Sequence, residues 1–481
     1  MLNSSLPQMA GWSRRSWLVW GVPGLLLVGA LALLPLPIAA ALIVGLPFVA
    51  LVLREPVFGL YGAVLSVPVQ ELIALPAGLT VTQAVVALAA GAWLLQVLAY
   101  PDRPLNLRFQ WPWVMFLSWQ LLAVVTTPYS LASSLQQWAR WVAAWLAFVL
   151  TVATITNRRR AWGLIAVLLA APGMAALLGI EQFLTASGPP SYLILGGRFA
   201  RAAATFVKPN PFAGYLNMAW PIALVLAAYF GARRLRGGDR TTLLLAVLFA
   251  GMAGMLLIGL FASYSRGGWI GAVVGALTLA LLGGRRSAAI AGGVIVLGLL
   301  IGLLGVFSAL PPVVVERLGA ITNNLRIFDA GVEPINDANF AVVERMAHWQ
   351  AAWRMWQAHP VLGIGPGSFN AAYPEFFVGN WAISQGHAHN YYLHILAEAG
   401  PLGLGFYLLL IGTIFAQALR LRRLHRQSIW GALALGGCGI MLAVASHNVF
   451  ENLHVLNLGI QLSGVWGLLV VAERLAPQHV S

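Results

Sequence analysis

The chain has 481 residues, 60% of them hydrophobic and only 9% charged, with a mean hydropathy of +0.81. That balance excludes a soluble globular domain, because apolar runs near the ~20 residues that cross a bilayer recur from Trp17 almost to the C-terminus. A net charge of +14 would point to nucleic acid in a soluble chain; here basic residues gathered in cytoplasmic loops account for it, and no nucleic-acid partner is expected.

In chain order, "MLNSSLPQMAGWSRRSW" sets a basic flank before a long apolar run. It lacks a clear small-residue cleavage signature, so it reads as the entry to a first spanning helix and not as a removed signal. The expected spans are 17–35, 37–53, 57–75, 80–99, 111–127, 138–156, 161–184, 211–231, 241–261, 267–283, 288–309, 390–418, 430–449 and 455–472. The expected fold is therefore an all-α polytopic membrane protein of about 12 to 14 helices. Its parts are a bundle over 1–309 with an outer loop at 185–210, a large outer loop at 310–389, and C-terminal membrane helices over 390–481. The single cysteine, Cys438, lies in an apolar span, which excludes disulfides and a cysteine-based metal site.

Orientation follows from arginine counting. With the N-terminus in the cytoplasm and alternating spans, 19 of the 28 basic residues fall inside, including "RRR" at 158–160, "RRLRGGDR" and "RLRRLHR". The nine expected outside are Arg140, Arg198, Arg201, Lys208, Arg266, Arg317, Arg326, Arg345 and Arg354. Both termini are then cytoplasmic.

The loops carry the candidate chemistry. "SYSRGGW" puts Arg266 at the mouth of a span, before a glycine pair that permits close helix approach; a boundary arginine reaching for headgroups is the plainer alternative. "AVVERMAHWQAAWRMWQAHP" places Val343, Met346, Ala347, Ala351, Met355 and Trp356 at helical spacing, which predicts an amphipathic helix along the membrane face ending before Pro360. Arg345 lies on that helix, where a solvated face is the plainer alternative. "GIGPGSF" at 363–369 precedes no Lys-Ser/Thr and follows no strand; it reads as a tight turn, with backbone N–H groups around an anionic oxygen as the weaker option. In "SQGHAHNYYLHILAEAG", Asn390, His394 and Glu398 share one helix face, and Glu398 lies about 12 Å below Asn390 at ~1.5 Å per residue. Such groups mark a polar cavity or a bundle-interior network, or else an interfacial anchor. "SHNVFENLHVLN" at 446–457 carries His447, Glu451 and His454 and reads first as a polar turn, second as part of the same cavity. Arginines suit a bidentate grip on phosphate, and histidine serves as a base near neutral pH. No Asp-rich cluster suited to Mg²⁺ stands beside them, so the expected site holds neither metal nor cofactor.

The order "SYSRGGW", "ERMAHWQAAWRMWQAHPVLGIGPGSF", "HAHNYYLHILAEAGPLGLGFYLLL", with "RAAATFVKPNPFAGYL" upstream, resembles the O-antigen ligase and polymerase superfamily of bacterial envelopes, from about 196 to 410. The resemblance implies a metal-independent, inverting glycosyltransferase of the inner membrane that works on the outer face. Its donor would be a glycan on a polyprenyl diphosphate, its acceptor a hydroxyl on lipid A core or on another glycan. By position, Arg266 and Arg345 match the family's arginines and His389 its "HN" histidine. His389 is then the general base and the two arginines bind the diphosphate. His387, Arg201, Asn390, Arg198 and His394 follow as substrate-binding candidates, and membrane lipids are the remaining partners. Some members of the superfamily were named as bicarbonate transporters, and the wording of "LGIGPGSFNAAYP" leans toward that branch. A small-anion transporter and a non-catalytic envelope scaffold are therefore the alternatives.

Overall fold

The computed structural model describes residues 35–73, 75, 78–101, 108–194, 196–290, 292–293, 328–336 and 339–476. Most of the expected spans 17–35 and 288–309, and Arg317 and Arg326, lie outside the described residues. The rest is an all-α polytopic membrane protein. In order the helices are α1 (Leu36–Arg54), α2 (Pro56–Ser66), α3 (Val81–Ala99), α4 (Gln110–Val125), α5 (Leu131–Thr154), α6 (Arg158–Thr185), α7 (Pro209–Asn217), α8 (Trp220–Leu235), α9 (Arg240–Ala262), α10 (Arg266–Gly283), α11 (Phe340–Ala358), α12 (Phe369–Phe376), α13 (Tyr391–Leu424), α14 (Ile429–His447) and α15 (Leu458–Leu475). Strand structure among the described residues is one short ribbon, β1 (Leu193–Ile194) antiparallel to β2 (Phe199–Ala200).

Eight helices among the described residues are long and apolar enough to cross a membrane. Three expected spans carry a break, and two of them, Pro209–Leu235 (α7 and α8 together) and Tyr391–Leu424, are counted among these eight. Span 57–75 becomes α2 followed by a 3-10 turn over Val67–Leu72, where Pro68 cannot extend the α-helical ladder. Span 211–231 is split into α7 and α8 before Pro221. The third break, in α13, falls at Gly400 (φ 68°, ψ −176°), next to Pro401.

Contacts between loops sort the helix ends into two sets. At the loop end, Gln70 bonds to Leu456, Thr127 to the carbonyl of Ile364, Arg201 to the carbonyl of Ser263, and the Tyr391 N–H to the carbonyl of Asn448. At the opposite, arginine end, Arg160 meets Glu55, Arg474 bonds to Val152, and Arg422 bonds to Leu282 and Gly283. Glycines permit close packing near the loop end. A Cβ on Gly267 would stand 2.7 Å from the His447 ring, and one on Gly271 2.8 Å from the Ala443 carbonyl, so α10 lies directly against α14.

The break in α13 anchors the segment that precedes it, through the loop at 363–369. Pro401 has no N–H and Gly400 is not helical, so carbonyls at the end of the first half of α13 lose their intrahelical partners. The "GIGPGSF" loop supplies replacements: Ile364 N–H bonds to Ala397 (2.9 Å) and Gly365 N–H to Glu398 (3.0 Å), while the Trp119 indole bonds to Ala399 (2.8 Å). The approach leaves no room for side chains, since a Cβ on Gly363 would sit 2.4 Å from the Ala397 carbonyl. Helix α11 then buries Val343, Met346, Ala347, Ala351 and Met355, while Trp356 stays part-exposed. Its apolar stripe packs partly against α12 and the first turns of α13, through Ala351, Met355, Phe369, Tyr373 and Ala397.

Candidate functional site

The site grows from the turn that enters α13. Asn390 accepts hydrogen bonds at Oδ1 from the N–H groups of Tyr392 (3.0 Å) and Leu393 (3.1 Å), and so caps the helix. To put the cap in place, the preceding His389 adopts a left-handed backbone (φ 52°), a conformation a non-glycine residue holds only where its surroundings enforce it. Two bonds do so. Its N–H donates to His387 Nδ1 (3.1 Å), and its carbonyl accepts the Trp349 indole (3.3 Å).

The loop 446–457 closes over this turn, which corrects its reading as a polar turn first. Glu451 is 3% exposed, with Oε1 3.1 Å from His387 Nε2 and 3.4 Å from His389 Nδ1. Asn210 of α7 donates to its other oxygen, and the Asn452 N–H donates to Oε1 at 3.2 Å. Burial works against ionisation of Glu451, but His387, His389 and Arg345 more than offset it and hold the carboxyl well below its usual range. His387 is pushed down to about 3, chiefly by burial and against the pull of Glu451. Geometry reconciles the two shifts. His387 Nδ1 accepts a backbone N–H, so its proton sits on Nε2, turned to an ionised Glu451; the imidazole is neutral.

Three other histidines behave differently. His348 on α11 is fully buried; Nδ1 lies 2.7 Å from the Glu344 carbonyl and Nε2 accepts the Gln385 N–H at 3.1 Å. Burial lowers it to about 4. With both nitrogens used, it is a structural histidine that ties the segment before His387 to α11. His394 Nε2 lies 3.3 Å from Glu398 Oε2, while Glu398 Oε1 accepts the Phe369 N–H at 3.1 Å. The last residue of the glycine-rich loop therefore donates its N–H to a carboxyl oxygen of the protein's own Glu398. His454 bonds through Nε2 to the Tyr407 hydroxyl (2.9 Å) inside an aromatic cluster with Trp141 and Tyr391. Both ring nitrogens of His389, by contrast, are buried without a hydrogen-bond partner.

Cations surround this core. Arg345 is half-buried and acts on both Glu451 and His447. Arg266 opens α10 behind the Ser265 cap, and its neighbour Gly267 packs on the His447 ring. Arg201 donates through Nε to the Ser263 carbonyl (3.3 Å), which sets it beside the start of α10. The lone lysine, Lys208, precedes α7 and acts on His387. Arg198 is not part of this group: it is exposed, 5.5 Å above the Phe199 ring. The sequence reading did not single out Lys208, Asn210 or His348 and set Glu451 second; a lone lysine in "KPNPF" and the polar density of "SHNVFENLHVLN" were the available signals.

His387, His389 and Glu451 offer three ligand atoms within 4.8 Å of one another, a two-histidine, one-carboxylate set that suits a divalent cation by donor type. The hydrogen bond to His387 Nδ1 opposes that use, because it keeps the proton on the nitrogen that faces Glu451. The set fits an acid–base cluster better than a cation site.

A polytopic helical bundle with a buried histidine–carboxylate cluster at one end, acted on by Arg345, defines a membrane protein with a charged core among its loops. Residues 250–408 match the family model described as O-antigen ligase. The match spans Arg266, Arg345, His387 and His389 and stops short of Arg201, Asn210 and Glu451. No curated protein matches the chain.

Proposed function

We propose that the protein transfers a glycan from a polyprenyl diphosphate to an acceptor hydroxyl, on a lipid or on another glycan, at the outer face of the inner membrane. The observation that carries the reading is His389, whose ring nitrogens are buried without a formed hydrogen bond, with Nδ1 3.4 Å from a Glu451 that Arg345 also acts on. His389 Nε2 takes the hydroxyl proton as the oxygen attacks the anomeric carbon from the face opposite the diphosphate. The carbon–oxygen bond to phosphate breaks, and the configuration inverts. Arg266 and Arg345 receive the charge that builds on the leaving diphosphate, preorganised in a partly dry pocket. The proton then passes to solvent, and no metal enters the step.

Purified protein in nanodiscs, supplied with a polyprenyl diphosphate-linked oligosaccharide in EDTA, tests this. Wild type should release the polyprenyl diphosphate and form a larger glycan; His389→Ala should bind donor but turn over ~100- to 10,000-fold more slowly. Metal-dependent turnover, or an active His389→Ala, would refute the mechanism. Small-anion transport is the second reading, favoured by one observation: a buried carboxylate, Glu398, beside a broken helix. That carboxylate is already held by Phe369 and His394, which favours a buttress over a permeation site. Bicarbonate flux in proteoliposomes without any glycosyl transfer would reverse the choice.

A further inference from the structure

Glu451 has no part in the transfer step itself, yet it is more enclosed than either histidine it faces. A buried carboxylate is costly unless matched, and the common match is an arginine or lysine at contact distance. Among the described residues Glu451 has none; its ion-pair neighbours are His387 and His389. Asn210 and the Asn452 N–H fix the orientation of the carboxylate, with Oε1 turned to the two imidazoles. The loop that carries it is tied to the same turn as His389, since the Asn448 carbonyl accepts the Tyr391 N–H at 2.8 Å. Carboxylate and imidazole are therefore held by one hydrogen-bonded unit.

The base, meanwhile, is fixed at its backbone and open at its ring. His389 is bonded at N–H and carbonyl in a left-handed conformation, while Nδ1 stands 3.4 Å from Glu451 Oε1 without a formed hydrogen bond. Such bonds are commonly long or bent in an empty site and tighten when substrate arrives. We propose that Glu451 is the positioning residue for His389. It accepts the Nδ1 proton, which leaves Nε2 unprotonated and turned to the acceptor hydroxyl, and it stabilises the imidazolium once Nε2 has taken the hydroxyl proton. The proposal rests on the glycosyl-transfer reading for its consequence, but not for the pairing itself.

Two measurements separate those layers. In the nanodisc assay, Glu451→Gln should lower kcat by ~100-fold or more with little change in donor KM, as expected for a group that acts in the transition state through the base. Glu451→Asp should recover part of the loss, and Glu451→Gln combined with His389→Ala should be no slower than His389→Ala alone. A wild-type kcat in Glu451→Gln, a loss confined to KM, or additive losses in the double variant would overturn the proposal. Nitrogen NMR of ¹⁵N-histidine-labelled protein needs no turnover. The signal removed by His389→Asn should report a proton on Nδ1 in wild type and a changed tautomer balance in Glu451→Gln. An Nε2-protonated His389 in wild type would overturn the pairing even if transfer is observed. Absent transfer with the expected tautomer would sink the glycosyltransferase reading and leave the pairing standing.

Discussion

Both ends of the bundle are rich in charge, and they use it in opposite ways. At the arginine end the ion pairs are open to solvent: Arg160 with Glu55 has side chains 31% and 41% exposed, and Arg420 reaches Glu473 with 67% of its own side chain exposed. Other arginines there bind carbonyls, as Arg422 does at Leu282 and Gly283 and Arg474 at Val152. Those bonds satisfy helix C-termini and favour the negative end of the dipole. At the loop end, Glu451, Glu398 and His394 are each 5% exposed or less, and imidazole nitrogens remain unpartnered. Charge at the arginine end serves helix ends. Charge at the loop end is kept buried at a cost, which is the pattern of a working site.

The largest expected effect strikes the anchor of the loop end. Gly400 has φ 68°, and a Cβ there would stand 2.0 Å from the Val361 carbonyl. Gly400→Ala should therefore cost about 3 kcal/mol or more, read as a large fall in Tm or loss of folded protein in detergent. Gly91→Ala on α3 meets nothing within 4 Å and should change stability by roughly 0.5 kcal/mol or less. Similar outcomes for the two variants would remove the glycine-rich loop as the anchor.

A smaller effect separates the ends by pH. His387 and His454 are pushed down to about 3 and His348 to about 4, each chiefly by burial. These groups are neutral when folded and protonate near ~6.5 when unfolded. The unfolded state thus binds more protons below that value, so their contribution is complete above ~6.5 and is lost as pH falls toward 4 to 3. Glu451, depressed when folded, adds a loss in the same direction at the acid end of that range. Hydrogen exchange at pH 5 against pH 7.5, corrected for intrinsic rates, should show 340–390 and 446–457 opening more readily. The helix start at Arg158–Arg160, which holds no histidine, should not follow. Uniform loosening would break the distinction between the ends.

Hydropathy made the spans legible because twenty apolar residues leave little else for a chain to do. The breaks were not legible, since averaging over a window hides a turn as short as Val67–Leu72 or a single residue such as Gly400. Arg266, Arg345, His387 and His389 stand out because polar groups are scarce in such a chain, and the structure brings Arg345, His387 and His389 to Glu451. Asn390 stood out for the same reason, yet its carbonyl oxygen caps α13. Glu451 was set second because its meaning lies in a contact made 62 residues after His389, and nothing local to "SHNVFENLHVLN" announces that contact.

The smallest expected effect is also the one that bounds the comparison. The Arg160–Glu55 pair is short, 2.5 Å, and by distance alone it outranks every contact of Glu451 with histidine. Distance is a poor guide here. Water reaches both partners, Arg160 keeps its bond to the Thr154 carbonyl, and the Tyr61 hydroxyl still bonds to the Arg160 carbonyl. Glu55→Gln should then cost under about 1 kcal/mol, shrink further as salt rises, and leave the proposed glycosyl transfer unchanged. Thermal unfolding at low and high salt reads this directly. A loss as large as that of Gly400→Ala would mean the arginine end also stores buried electrostatic energy, and charge placement would no longer tell the two ends apart.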